Sequence, residues 1–363
     1  MTPTPSSSTY SWQNPSAPPP LDPQIVEFMR LMGAEGARYP KRHTIPIAEG
    51  RANAEKVRAP WTQGGPQMAR TVEHQVPTRH ADVRIRAYYP QARKLPGVFI
   101  YLHGGGFVLG SIETHDRIMR EYAHRAGIVV VGVHYTRAPE AKFPRPMEEC
   151  LDVTRWVAAN AALLDVDGEQ LFIGGDSAGA NYSMGVSLSL RDAGARIVKG
   201  IVLNYGSVSS NLYRNSVIQY GGGAYGLSLV SMMWFRAMHI TTASDITDPR
   251  VDILRAKLHD LPPTCMVVAE CDPVHDDMMD LDRMMREAGN QVQTKVYAGA
   301  AHSFLEAVSI SDLAVEAFED TVAWLRKQSA TLSAGQSTLL TSAESSMQST
   351  QQSGTPSTTH SAA

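Results

Sequence analysis

Five stretches of this chain are apolar at nearly every consecutive position: Val98-Phe99-Ile100-Tyr101-Leu102, Ile128-Val129-Val130-Val131-Gly132-Val133, Leu171-Phe172-Ile173, Gly200-Ile201-Val202-Leu203-Asn204 and Met266-Val267-Val268-Ala269. Such a run has no wet face, so each predicts a strand buried on both sides, as in a parallel sheet. Two other segments alternate instead. Val83, Ile85 and Ala87 interleave with Arg84, Arg86 and Tyr88, which predicts an early antiparallel strand with one wet face, and Val292–Tyr297 alternates like a strand and leads to Gly299-Ala300-Ala301-His302. Helical periodicity fills the gaps between strands. It covers Ile25–Met32, Met147–Asn160 with Trp156 and Val157 on its apolar side, and Asp276–Ala288. In the last of these, Met278, Leu281 and Met285 form a core stripe, and Asp277, Asp280 and Arg283 are expected on a solvated face. Strand and helix in alternation predict an α/β fold, a mostly parallel sheet with helices on both faces.

The pattern lapses in four places. Residues 1–20 are rich in Pro, Ser and Thr, and 329–363 in Ser, Thr, Gln and Ala; both are expected to be disordered. Residues 40–75 look irregular and polar. Between residues 207 and 248 the alternation stops, in a stretch holding Gly221–Gly223, Tyr213, Tyr220, Tyr225, Met232, Met233, Trp234 and Met238. Because it lies between two sheet strands it must leave the sheet and return, so we read 207–247 as a cap insertion whose bulky residues mostly pack within it. Residues 21–60 supply the cap's N-terminal part, and 61–206 with 248–328 make the catalytic domain.

Composition narrows the choice of class. Hydrophobic residues are 43% and charged residues 19% of 363, and the net charge is −3. That suits a globular domain with a sizeable core and, with no dense Lys/Arg cluster, argues against a nucleic-acid partner. No apolar run is long enough to span a bilayer, and the N-terminus lacks the basic and apolar regions of a secretory signal. Cys150, Cys265 and Cys271 are odd in number and form no paired motif, so a reducing, cytoplasmic setting is expected. Oligomeric state is open, a homodimer included.

The chemistry gathers at strand ends. Gly175-Asp176-Ser177-Ala178-Gly179 follows an apolar run, and its small flanking residues permit the tight strand-to-helix turn that bares a serine hydroxyl. His103-Gly104-Gly105-Gly106 follows another; glycines there free backbone N–H groups to meet an oxyanion. The amide of Ala178 would add a donor, and no lysine follows the glycines to suggest a phosphate loop. Asp272 and His302 each sit just past a later strand. Strand C-termini of a parallel sheet share one edge, so Ser177, Asp272 and His302 would converge. His302 would accept the Ser177 proton, and Asp272 would hold the imidazole tautomer. Singly, each residue has a plain structural reading; jointly, in this order, they make a triad. His275-Asp276-Asp277 lacks a second histidine at ligand spacing, so no metal site is expected. His134 reads as a hydrogen-bonded polar residue near a strand end.

His103-Gly104-Gly105-Gly106-Phe107, Gly175–Gly179, Asp272-Pro273-Val274 and His302-Ser303-Phe304 together resemble the signature set of the hormone-sensitive-lipase-like family of α/β-hydrolases, most closely its bacterial acetyl esterase branch. The resemblance spans roughly residues 25–328. It implies the α/β-hydrolase fold with a helical cap and a cofactor-free serine carboxylesterase acting on small, short-chain acyl esters. Gly104, Gly105 and Ala178 amides would receive the oxyanion, Gly106 completes the loop, and His103 orders it. Ala180, His134 and Arg137 depart from the family pattern and bear on packing and substrate preference, not on the triad. The alternatives are an amidase or thioesterase using the same residues, and a binding module that has lost catalysis.

Overall fold

The computed structural model describes residues 19–352, with side chains through residue 336. Eight strands form one sheet in the order β1-β2-β4-β3-β5-β6-β7-β8. They are β1 Arg70–Pro77, β2 Asp82–Tyr89, β3 Val98–Leu102, β4 Val129–His134, β5 Leu171–Asp176, β6 Val198–Asn204, β7 Thr264–Cys271 and β8 Val292–Ala301. Strand β2 pairs antiparallel with both β1 and β4, and the pairings from β4 to β8 are all parallel. The all-apolar runs are therefore the central strands, as their lack of a wet face requires.

Each central strand feeds two cores. In β3, Val98, Ile100 and Leu102 join one cluster, and Phe99 and Tyr101 join the other. The first cluster is closed by α4 (Arg145–Ala159), α5 (Ala178–Asp192) and α8 (His275–Glu287), and the second by α3 (Asp116–Ala126) and α9 (Asp312–Gln352). Met278, Leu281 and Met285 of α8 are fully buried, as their spacing predicts. Asp277 departs from expectation. It is buried, and Arg214 Nε lies 3.1 Å from its Oδ1, because the chain between β6 and β7 folds back over that end of α8. Desolvation raises its pKa to about 7 despite the arginine.

Residues 40–75 contain regular structure that their polarity concealed: helix α2 (Ile47–Thr62) and strand β1. Helix α2 buries only Gly50, Asn53 and Trp61, so it shows no apolar stripe, and its Ala, Glu, Lys and Arg favour helix without one. Strand β1 is a sheet edge with Val76 its single buried residue. Helix α1 (Pro23–Gly36) begins at an Asp22 cap whose carboxylate accepts from the Gln24 and Ile25 amides. It packs on α2 through an edge-to-face Phe28–Trp61 pair, 4.6 Å between centroids.

The expectation of disorder from residue 329 fails as far as residue 352, because α9 continues through Gln352. Nucleation is the costly step, and it is already met where Ala314, Phe318, Val322 and Leu325 dock on the sheet. Between Leu325 and Gln352 the chain holds no proline and a single glycine, Gly335, so nothing there stops a helix already begun. Residues 353–363, and residues 1–18 at the other end, lie outside the described residues. No described helix is long and apolar enough to cross a membrane.

Between β6 and β7 the chain leaves the sheet, forms α6 (Asn215–Tyr220) and α7 (Leu229–His239), and returns. Packing within this insertion is looser than its bulky composition suggests. Tyr220 is buried, but Tyr213 and Met233 are exposed. Helix α7 instead turns Phe235 and His239, four residues apart and so on one face, down toward the sheet edge.

Candidate active site

The turn from β5 to α5 places Ser177. Its backbone sits at φ 52°, ψ −114°, a conformation that costs a non-glycine residue about 1–3 kcal/mol and persists only where the surroundings enforce it. The enforcing contact is close packing of backbone on backbone. A Cβ on Gly179 would lie 1.9 Å from the Leu102 carbonyl oxygen, so only glycine lets α5 start this near β3. The Ser177 N–H donates to the Asn204 carbonyl of β6 (3.0 Å), and the Ser207 N–H donates to the Ser177 carbonyl (3.1 Å), tying the turn to the next strand.

Three residues from three strand ends meet here. His302 Nε2 is 3.0 Å from Ser177 Oγ, and His302 Nδ1 is 2.8 Å from Asp272 Oδ2. Ser177, His302 and Asp272 are all buried, Asp272 completely. The other Asp272 oxygen accepts the Val274 N–H at 3.0 Å, fixing the carboxylate plane. Burial alone would depress the His302 pKa, but the charge of Asp272 and its hydrogen bond outweigh it and raise the value above 6.5. The His302 N–H donates to the Tyr225 carbonyl (3.2 Å), which joins the imidazole's backbone to the insertion.

The glycine loop lies opposite. One expected donor is already engaged: the Gly104 N–H donates to Asp176 Oδ1 at 3.0 Å, so its amide anchors the loop and is not free for an oxyanion. Among the described residues the N–H groups of Gly105, Gly106 and Ala178 have no protein acceptor. Ala178 opens α5, where the helix itself offers no carbonyl. His103 does not face this chemistry. Its Nδ1 lies 2.8 Å from the Gly104 carbonyl, its ring stacks on Tyr135 at 4.3 Å, and Tyr135 donates to the His103 carbonyl at 2.7 Å. Burial holds the His103 pKa well below 6.5, so the ring is neutral.

Asp176 is the residue that sequence reasoning passed over, although it occupies the variable position beside the nucleophile. Its buried carboxylate accepts from the Tyr101 hydroxyl (2.9 Å) and the Gly104 N–H, and its Oδ2 is 3.3 Å from His115 Nε2. Desolvation works against the carboxylate, but His115 and these donors keep its pKa low; His115 is correspondingly raised against its own burial. Space for the carboxylate is reserved, since a Cβ on Gly104 would come within 2.2 Å of Asp176 Oδ2. Asp176→Ala should therefore leave the buried His115 ring and two donors without their partner. It is expected to cost about 3–5 kcal/mol of stability, read by urea unfolding; an unchanged midpoint would show that the network is not structural.

The cleft above Ser177 is walled by Phe107, Met232, Phe235, His239, Ile240 and Val251, with arginines at its rim. His239 was not foreseen either. Its ring stacks flat on Phe107 (3.9 Å, 5° between planes), both of its nitrogens lack partners, and burial lowers its pKa to about 3. It is a neutral imidazole whose two nitrogens are buried against the cleft wall. His134, expected to be hydrogen-bonded, has an unpartnered Nδ1 and a pKa lowered to about 4 by burial and Arg137. It lies at the end of β4, outside the cleft lining. No group of three metal-ligating side chains occurs among the described residues, and Cys150, Cys265 and Cys271 are buried free thiols.

Comparison with known proteins places this arrangement in context. Residues 99–306 match a family described by its alpha/beta hydrolase fold. An acetyl esterase from Salmonella schwarzengrund (strain CVM19633) is 33% identical over 262 residues, 72% of this chain and 80% of that protein. The hyperthermophilic esterase of the archaeon Pyrobaculum calidifontis superposes with a TM-score of 0.80 at 30% identity, covering 86% of this chain and 99% of the archaeal one. EstE1, a thermophilic carboxylesterase cloned from a metagenomic library, gives 0.75 at 33% identity over 78% of this chain and 98% of its own.

Proposed function

The chain belongs to the hormone-sensitive-lipase-like esterases of the α/β-hydrolase fold, and from that premise we propose that Ser177, His302 and Asp272 hydrolyse short-chain acyl esters, acetyl esters foremost. One observation carries the reading: the continuous chain from Ser177 Oγ to His302 Nε2 (3.0 Å) and from His302 Nδ1 to Asp272 Oδ2 (2.8 Å). Ser177 Oγ attacks the ester carbonyl while Nε2 takes its proton. The imidazolium is stabilised by Asp272 and returns the proton to the departing alkoxide. Water repeats the sequence on the acyl-enzyme, releasing the acid and restoring the serine.

The carbonyl oxygen becomes negative in both tetrahedral intermediates. The N–H groups of Gly105, Gly106 and Ala178 are the donors we assign to it, with Gly104 held back by Asp176. Each such donor is worth about 2.7–4 kcal/mol of transition-state stabilisation, because it is oriented before the charge appears. The fixed loop therefore matters as much as the nucleophile's own environment.

Short acyl chains are favoured by the walls of the cleft. Phe107 and His239 stack face to face on one side, and Phe235 rests against the glycine loop on another. A series of p-nitrophenyl esters from acetyl to decanoyl tests this. We expect kcat/KM to peak at acetyl to butyryl and to fall at least tenfold by decanoyl; a maximum at decanoyl would refute the short-chain assignment.

A further inference from the structure

Resting on the hydrolase reading above, we propose that the cleft selects esters carrying an anionic group, a carboxylate, which is received by Arg42 at the cleft mouth. Three arginines, Arg42, Arg58 and Arg236, line the cleft, and two of them are engaged. Arg58 Nε lies 3.1 Å from Glu306 Oε2. Arg236 donates to the Ser209 carbonyl at 3.4 Å. The Arg42 guanidinium makes no hydrogen bond and no ion pair among the described residues. It lies over the Phe235 ring, 5.8 Å from the centroid.

Position makes this free cation relevant to the reaction. Phe235 is packed so tightly on the glycine loop that a Cβ at Gly106 would fall 2.3 Å from its ring atoms. Arg42 thus stands over an aromatic ring that itself touches the oxyanion loop, and it lines the same cleft as Ser177. Arg42 is exposed at the mouth; desolvation by the surrounding protein, and after it the like charge of Arg58, lower its pKa to about 10. It stays fully charged at neutral pH. A surface arginine far from a site usually finds a carboxylate or bulk water. This one faces a cleft in which Glu306 is already paired and Asp176 is already bonded to His115, so a ligand is the available counter-charge. A planar guanidinium offers paired donors that suit a carboxylate.

The test uses pairs of esters alike in shape and different in charge. Monomethyl glutarate against its neutral carboxamide counterpart places the anion on the acyl side; acetoxypropanoate against acetoxypropanamide places it on the alcohol side. In the wild-type protein at least one pair should favour the anion in kcat/KM by about tenfold, equivalent to about 1.4 kcal/mol. Arg42→Gln should bring that ratio close to one, Arg42→Lys should restore part of it, and raised salt should shrink it in the wild type and in Arg42→Lys but not in Arg42→Gln. Ratios at or below one in both pairs, or a preference indifferent to Arg42→Gln and to salt, would overturn the proposal. Failure of the hydrolase reading looks different, as no ester of either kind would be turned over. In that event calorimetry of monomethyl glutarate with Ser177→Ala, with and without Arg42→Gln, still decides whether Arg42 binds the anion.

Discussion

Ser177→Ala should lower ester turnover by about 10^6-fold while leaving the fold in place, because members of such a triad act as one unit. Alanine removes the attacking oxygen and nothing else of consequence. Among the described residues Ser177 Oγ hydrogen-bonds only to His302, and the enforcing contacts of the turn are made by backbone and by glycine. Alanine must adopt the same φ of 52°, so the strain is carried over, not added. Steady-state hydrolysis of p-nitrophenyl acetate, together with a thermal melt, checks both halves. Turnover within tenfold of the wild type would remove Ser177 from the mechanism.

Asp272→Asn should reduce kcat by about 10^4-fold and also move the pH profile. The amide is nearly the size of the carboxylate, so geometry survives, but it presents an N–H where His302 Nδ1–H needs an acceptor and withdraws the charge that stabilises the imidazolium. The direction of the pH effect follows from the His302 environment. Catalysis needs the neutral imidazole, and in the wild type Asp272 raises its pKa against the opposing effect of burial. The acid limb of kcat/KM should therefore lie above pH 6.5. With asparagine only burial and weaker distant charges remain, so residual activity should persist to lower pH than in the wild type. A limb that stays in place would mean that it reports another group.

The central architecture was legible because it is dictated locally. A run such as Val129–Val133 has no polar residue to show to water, and a Gly-x-Ser-x-Gly turn after a buried strand allows few other backbones. What escaped prediction depends on partners distant in sequence. Helix α2 and edge strand β1 bury too few side chains to leave a period. Asp277 reads as solvated on its own helix and is covered only because Arg214 arrives from another element. The triad could be placed by order and strand ends. The identity of the oxyanion donors could not, because Asp176, at the end of the adjacent strand β5 and 72 residues on in sequence, takes the Gly104 amide. Asp176 carried a faint signal, a carboxylate adjoining a buried nucleophile, and His239 carried none.

The hydrogen bond from the His302 amide to the Tyr225 carbonyl bears on attempts to reshape this protein. The roof of the cleft also grips the peptide that carries the proton relay, and Gly226 is so close that a methyl group there would approach the His302 carbonyl to 2.8 Å. Trimming or grafting the α6–α7 segment to admit bulkier esters would loosen the imidazole at the same stroke. Broader scope is better sought by shaving individual walls such as Met232 or Ile240 than by exchanging the roof as a block.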